Sequence, residues 1–419
     1  MDTSQRIVFK NCAILNADNG KVASGKVVVV VGRHIESVQD QAAVAPSLLK
    51  EAIDVAGLTV MPGMIDCHVH VMASDMNLAR NASMPNMLAC FRAIPILRGM
   101  LSRGFTTVRD AGGADWTLSQ ATDTGLVAGP RIFPSGRALS QTGGHGDMRA
   151  RSDIIEPCAC SNRLGNIARV VDGVDAVRLA VREEIQKGAT QIKIMASGGV
   201  ASPNDPIHYL GYSEDEIRAI VAEADAAGTY VMAHAYTPRA IQRAVRCGVR
   251  TIEHGNLLDA ETARIMVEHG AFLVPTAVTY EALANDGPRF GFPQELMPKI
   301  DGVRSAGKRA LAIAQEAGLP MAFGSDLLGQ CHDQQANELK IRSDVLGNLE
   351  AVRAATTVAA RVLNQPDTLG VVKAGAFADL LFVDGNPMED INALLDQGSR
   401  LTAIMKNGEW IKNGLVPLR

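Results

Sequence analysis

Residues 61–70 read Met61-Pro62-Gly63-Met64-Ile65-Asp66-Cys67-His68-Val69-His70. The run is short, apolar and closed by two histidines two positions apart. On a strand, residues i and i+2 point the same way, so one strand end presents both imidazoles on one side. The question is then whether other runs of this kind follow.

Seven do: Phe105–Asp110, Arg131–Ala138, Gln191–Ser197, Tyr230–Tyr236, Thr251–His254, Phe272–Thr276 and Met321–Asp326. Amphipathic stretches separate them. Asp175 to Lys187 places Val177, Leu179, Ala180 and Ile185 on one side and stops at Gly188. Ser213 to Ala227 opens with Ser213 and Glu216, the pattern of a capping box, so Glu214, Asp215 and Glu216 read as a helix start and not as a metal site. Pro238 to Cys247 ends at Gly248. Eight strands alternating with helices predict an α/β fold, a (β/α)8 TIM barrel over residues 61–365.

The chain ends read differently. Arg6 to Leu15 and Lys26 to Val31 are strand candidates, with turns at Gly20, Gly25 and Gly32. Past Leu369, Asp379–Asp384, Leu401–Lys406 and Glu409–Lys412 return to short strands. Residues 1–60 and 366–419 are therefore expected to form one small β-sandwich domain together.

Composition bounds the function. The 419 residues are 47% hydrophobic and 21% charged, enough to bury a large core without disulfide staples. The net charge of −4 argues against nucleic acid as a partner. The longest apolar run, Val27–Val31, is far short of a membrane span, and Met1 to Lys10 lacks a signal-peptide core. A cytoplasmic location is expected, although a removed leader leaves no trace. The seven cysteines include no Cys-x-x-Cys pair and read as reduced, mostly buried thiols, with Cys158 and Cys160 in a polar stretch.

Nine histidines carry the functional signal. His68 and His70 close the first run, His234 lies in the fifth, His254 closes the sixth, and Asp326 closes the eighth. Lys193 lies inside the fourth. Barrel enzymes carry their chemistry at the carboxyl ends of the strands, and imidazole and carboxylate ligands suit a divalent metal. An ammonium repels a cation, but a lysine amine that has reacted with carbon dioxide is an anionic carbamate able to bridge two metals. A buried ion pair is the other reading of Lys193.

Residues 61–70, followed in order by Lys193, His234, His254 and Asp326, resemble the metal motif of the amidohydrolase superfamily. The resemblance covers nearly the whole chain, including the closing segment Gly375-Ala376-Phe377-Ala378-Asp379-Leu380. Gly143-Gly144-His145-Gly146-Asp147, Ser197-Gly198-Gly199-Val200 and Gly324-Ser325-Asp326 resemble its metal-dependent dipeptidase and carboxypeptidase branch. Members of that branch cleave amides of C-terminal amino acids, including Xaa-Pro dipeptides, and some hydrolyse ochratoxin A.

This resemblance implies two zinc ions. His68, His70 and Asp326 would hold one, His234 and His254 the other, with N-carboxylated Lys193 bridging and a hydroxide between the metals as nucleophile. Asp326 would take the proton of that water and pass it to the departing amine. The substrate would be a small-molecule amide with a free carboxylate. Relatives assemble into multimers, so a homo-oligomer is expected.

Other residues near the strand ends carry two readings each. His145 is expected to bind the substrate carbonyl or oxyanion, or else to stabilise its glycine-rich loop. Arg239 and Tyr236 are expected to hold a substrate carboxylate, although Arg239 also reads as a helix-start arginine facing solvent. His332, Gln335 and Glu338 are spaced three apart as on one helix face, where His332 could line the pocket. His208, on the loop 197–212, is expected to border the site, while His34 and His269 read as surface or packing residues. Ser197 and Ser325 read as turn residues, and Arg109 and Asp110 as a structural ion pair. Two further functions stand beside amide hydrolysis: a cyclic-amide hydrolase of the imidazolonepropionase type, and a non-enzymatic scaffold.

Overall fold

The computed structural model describes residues 6–149, 163–202 and 204–415. Cys158 and Cys160 lie outside them. Two bodies share one chain: a (β/α)8 barrel and a β sheet made from both chain ends.

The sheet joins Arg6–Leu15, Val22–Val31, His34–Asp40 and Thr59–Pro62 to Leu380–Val383, Leu401–Lys406 and Glu409–Asn413. The seam is antiparallel, pairing Leu380 with Pro62 and Val383 with Thr59. Met61 and Pro62 therefore belong to this sheet and not to the barrel, a correction to the 61–70 strand reading. The break falls at Gly63, where any Cβ would lie 2.1 Å from Thr106 Oγ1. Phe9, Val28, Val30, Val60, Leu380, Phe382 and Met405 pack on one face of the sheet, fully buried. His34–Asp40 and the two-residue strand Ile53–Asp54 went unread in the sequence.

In the barrel, Met64–Val69, Phe105–Asp110 and Arg131–Phe133 pair in parallel, as do Ile192–Met195, Val231–Ala235, Thr251–His254 and Phe272–Val274. The third run differs from its expected bounds. Arg131–Phe133 pairs with the second strand, the chain then breaks at Pro134, and Ala138–Ser140 pairs with the fourth. A proline cannot donate to a ladder, so one side of this strand must end there. The Gln191 side-chain amide spans the gap, donating to the carbonyls of Phe133 and Asp110 at 3.0 and 3.2 Å. The eighth run closes the barrel by backbone bonds on both flanks: Ala322 donates to Leu273 O, Cys67 to Phe323 O, and Asp326 to His68 O.

The helices Val174–Gln186, Glu214–Ala226 and Pro238–Arg246 fall where periodicity puts them, although Leu179 is exposed, on the opposite side from Val177, and the capping box of Ser213 and Glu216 is present. Arg131 ties the two bodies together. Its guanidinium donates to Thr107 Oγ1 at 2.8 Å, to Asp379 Oδ2 at 2.6 Å and to Asn407 Oδ1. Cys12, Cys67, Cys247 and Cys331 are buried and Cys90 is exposed, and all five are free thiols. Among the described residues no helix is long and apolar enough to cross a membrane.

Candidate active site

The carboxyl ends of the barrel strands converge on one pocket of about 580 Å³, open solvent at its mouth included. His68, His70, His145, Lys193, His234, Tyr236, His254 and Asp326 all line it. The six candidate metal ligands come from five of the eight runs and are brought together at one end of the barrel.

His68, His70 and Asp326 present ligand atoms that lie within 4.8 Å of one another. Asp326 Oδ1 is 3.4 Å from His68 Nε2 and 3.3 Å from His70 Nε2, and its Oδ2 is 3.8 Å from His254 Nδ1. Burial works to raise the Asp326 carboxyl, but the charges and hydrogen bonds of the surrounding histidines hold it well below the usual range. His254 and Asp326 both adopt left-handed backbone, with φ of 73° and 51°. Such angles are unfavourable for side chains with a Cβ and cluster at functional sites.

Each imidazole has one nitrogen engaged from behind. His68 Nδ1 lies 2.6 Å from Glu253 Oε2, and His70 Nδ1 lies 3.0 Å from Gly112 O. His234 Nε2 lies 3.1 Å from Gly198 O, and His254 Nδ1 lies 2.8 Å from Thr276 Oγ1. With the N–H directed at these oxygens, the other nitrogen of each ring keeps its lone pair, as a metal ligand requires. His68 Nε2 is buried without a hydrogen-bond partner. Burial holds His234 and His254 well below the ordinary imidazole range, so both are neutral. Burial also lowers Lys193 to about 8, which increases its free amine. This donor set fits divalent metal.

His145 Nδ1 sits 2.6 Å from Ser202 Oγ and 3.3 Å from Asp205 Oδ2. Asp205 also accepts from the Gly199 N–H at 2.7 Å. The Lys299 ammonium donates to the carbonyls of Gly199, Ser202 and Asp205 at 3.0, 2.7 and 3.0 Å, pinning the described part of this loop. The approach is close: a Cβ on Gly199 would meet the His145 ring at 2.1 Å. Tyr236 is buried and its hydroxyl accepts from Tyr280 at 2.9 Å.

Several expected site residues lie elsewhere. Arg239 is exposed in the first turn of its helix and does not line the pocket. His332, Gln335 and Glu338 do not share one helix: His332 lies inside the 3-10 turn Gly329–Gln334, and Glu338 lies in the first turn of the helix Asn337–Leu346. His332 Nε2 donates to Ala73 O at 3.1 Å, bracing the loop after His70. Gln335 donates to Asp66 at 2.8 Å, and Glu338 pairs with Arg342 at 2.8 Å. His208 is exposed against Tyr209.

Arg109 and Asp110 form no pair with each other. Arg109 reaches Glu253 at 2.9 Å, while Asp110 accepts backbone N–H groups of Val71, Gly112 and Ala114. A side chain and its chain neighbour point to opposite faces of a strand, which forbids the expected contact. Ser325 Oγ donates to Asp66 at 2.6 Å and Ser197 Oγ to Gly198 O at 2.9 Å. Glu253, Asp205, Lys299 and Tyr280 went unread. The one available signal was Glu253, a charge inside the apolar run Thr251–His254.

Comparison with known proteins agrees with this geometry. The amidohydrolase family model matches residues 59–411. A crystal structure of a prolidase complexed with N-methylphosphonate-L-proline is similar at 60% identity and TM-score 0.95, covering 98% of this chain and 100% of that one. A Xaa-Pro dipeptidase with bound methionine is similar at 29% identity and TM-score 0.86, covering 98% and 100%. Ochratoxinase of Aspergillus niger is 30% identical over 433 residues, 98% of this chain and 88% of the relative. With this match over most of its length, the chain belongs to the amidohydrolase family and is a hydrolase acting on C–N bonds.

Proposed function

We propose that this protein is a binuclear zinc amidohydrolase that cleaves dipeptides or N-acyl amino acids bearing a free C-terminal carboxylate, ochratoxin A among the compounds to try. One observation carries the metal reading: four imidazoles, each tied at one nitrogen, line the pocket that holds Lys193 and Asp326, and His68 and His70 present their free Nε2 to Asp326. Zinc bound there supplies an acidified water and a polarised scissile carbonyl.

His68, His70 and Asp326 would hold one ion and His234 and His254 the other, with Lys193, as its carbamate, a further anionic ligand. Asp326 Oδ2, the oxygen not shared with His68 and His70, takes the proton of the attacking water and delivers it to the leaving amine. The Asp326 side chain is 20% exposed, against 0–7% for His68, His70 and His254, so it faces the substrate. His145, oriented at Nδ1 by Ser202 and Asp205, turns its other nitrogen to the carbonyl oxygen. Leu78, Met148, Ile167, Met195 and Val200 form an apolar wall beside it.

The test pairs metal analysis with a screen of Xaa-Pro dipeptides, N-acyl amino acids and ochratoxin A. Near two zinc per chain with turnover of carboxylate-bearing amides is expected. A folded chain without metal, or one that prefers cyclic amides of the imidazolonepropionase type, overturns the proposal.

A further inference from the structure

We infer that Glu253 is a positioning residue for the metal centre, holding His68 in one tautomer and one orientation from across the barrel. The inference rests on the metal reading above. Thr251–His254 and Met64–Val69 are not neighbouring strands: the first pairs with Val231–Ala235 and Phe272–Val274, the second with Phe105–Asp110. The 2.6 Å contact between Glu253 Oε2 and His68 Nδ1 therefore spans the interior beneath the pocket, where both side chains are 0% exposed.

Glu253 is not itself free to be a ligand. Its Oε1 accepts from Arg109 Nη2 at 2.9 Å and from Thr251 Oγ1 at 2.6 Å, and its Oε2 accepts from His68 and, at 3.1 Å, from Arg109 Nη2. An isolated carboxylate at this depth is strongly unfavourable, and Arg109 supplies the opposing charge. Arg109 also donates through Nε to Cys67 O at 2.6 Å, so one guanidinium fixes both the backbone before His68 and the carboxylate behind it. A carboxylate accepting the Nδ1–H of a ligating imidazole leaves Nε2 as the donor atom and makes it more basic. Nε2 is the nitrogen that faces Asp326.

Metal-depleted wild type, Glu253→Gln, Glu253→Asp and Arg109→Lys are reloaded with Zn2+ and with Co2+, and affinity is read by chelator competition. The Co2+ visible spectrum reports the ligand field, and metal-free thermal melting reports the fold. Glu253→Gln is expected to weaken metal binding roughly ten- to a hundredfold and to shift the Co2+ bands. Glu253→Asp keeps the charge beside Arg109 but withdraws it from His68, and is expected to lose affinity with little change in melting. Arg109→Lys loosens the anchor of that carboxylate and is expected to lower melting and to weaken metal binding less than Glu253→Gln does. Wild-type affinity in both Glu253 variants overturns the inference while leaving the metal reading intact. A wild-type chain that takes up no metal overturns both.

Discussion

His145 stacks on His234, with ring centroids 4.3 Å apart and planes 28° from parallel. The ring proposed to meet the substrate thus leans on a candidate ligand, while Ser202 and Asp205 hold its Nδ1. Replacing His145 by Asn is expected to lower kcat by about 10² to 10³, the effect of losing one donor to a developing oxyanion. Metal content should stay at the wild-type level. Loss of metal along with activity would assign His145 a structural role.

Arg239 faces solvent in the first turn of Pro238–Arg246. Arg239→Ala is expected to change KM for carboxylate-bearing substrates less than about twofold, as for an exposed substitution away from the site. Steady-state kinetics on a dipeptide and on its C-terminal amide would settle this. A selective rise in KM for the free acid returns Arg239 to the site.

Acid sensitivity is expected from His332. Burial pushes it down to about 4 from an ordinary 6.5, against the opposing hydrogen bond to Ala73 O. Between those values the unfolded chain takes up a proton that the folded chain refuses. Its contribution to stability is present above pH 6.5 and is lost as pH falls through 4, by up to about 3 kcal/mol. His332→Asn keeps a donor and removes the titration. Denaturation measured from pH 7 to pH 4 should show a shallower decline in the variant, and identical slopes would exclude this role.

The joint between the two bodies depends on a buried charge pair. Arg131 and Asp379 side chains are 10% and 5% exposed and meet at 2.6 Å. Asp379→Asn leaves the guanidinium without its carboxylate and is expected to cost about 3 kcal/mol, seen in equilibrium unfolding. Arg131→Met combined with Asp379→Leu should recover part of that loss, because no charge is then left unpaired.

The metal candidates were readable because position along a strand is a one-dimensional property. A histidine at a strand end, or two histidines two apart, declares its direction through the pleat. His145 was readable through the glycine-rich loop 143–146 that carries it, and a Cβ on Gly199 would occupy the place of its ring. What supports these groups was not readable. Asp205 and Lys299 lie far apart in sequence and meet only because a loop folds against the helix Met297–Glu316. Arg239 misled because its charge and its nearness to His234 do not say which way its side chain points. The spacing of His332, Gln335 and Glu338 misled for a different reason. Helical spacing gives a face only if the helix is continuous and that face is turned inward, and neither condition is written locally. Pro134, by contrast, was a visible breaker inside the third run.

The antiparallel seam of Thr59–Pro62 with Leu380–Val383 also sets an order of events in time. Ribosomal synthesis delivers the N-terminal strands first, and their partner edge arrives only after the entire barrel has been made. Until then Thr59–Pro62 offers unpaired backbone groups, a template for any other extended chain. Chains cut short before Leu380 should therefore aggregate through this edge even when their barrels are complete, and holding chaperones should associate most with those lengths.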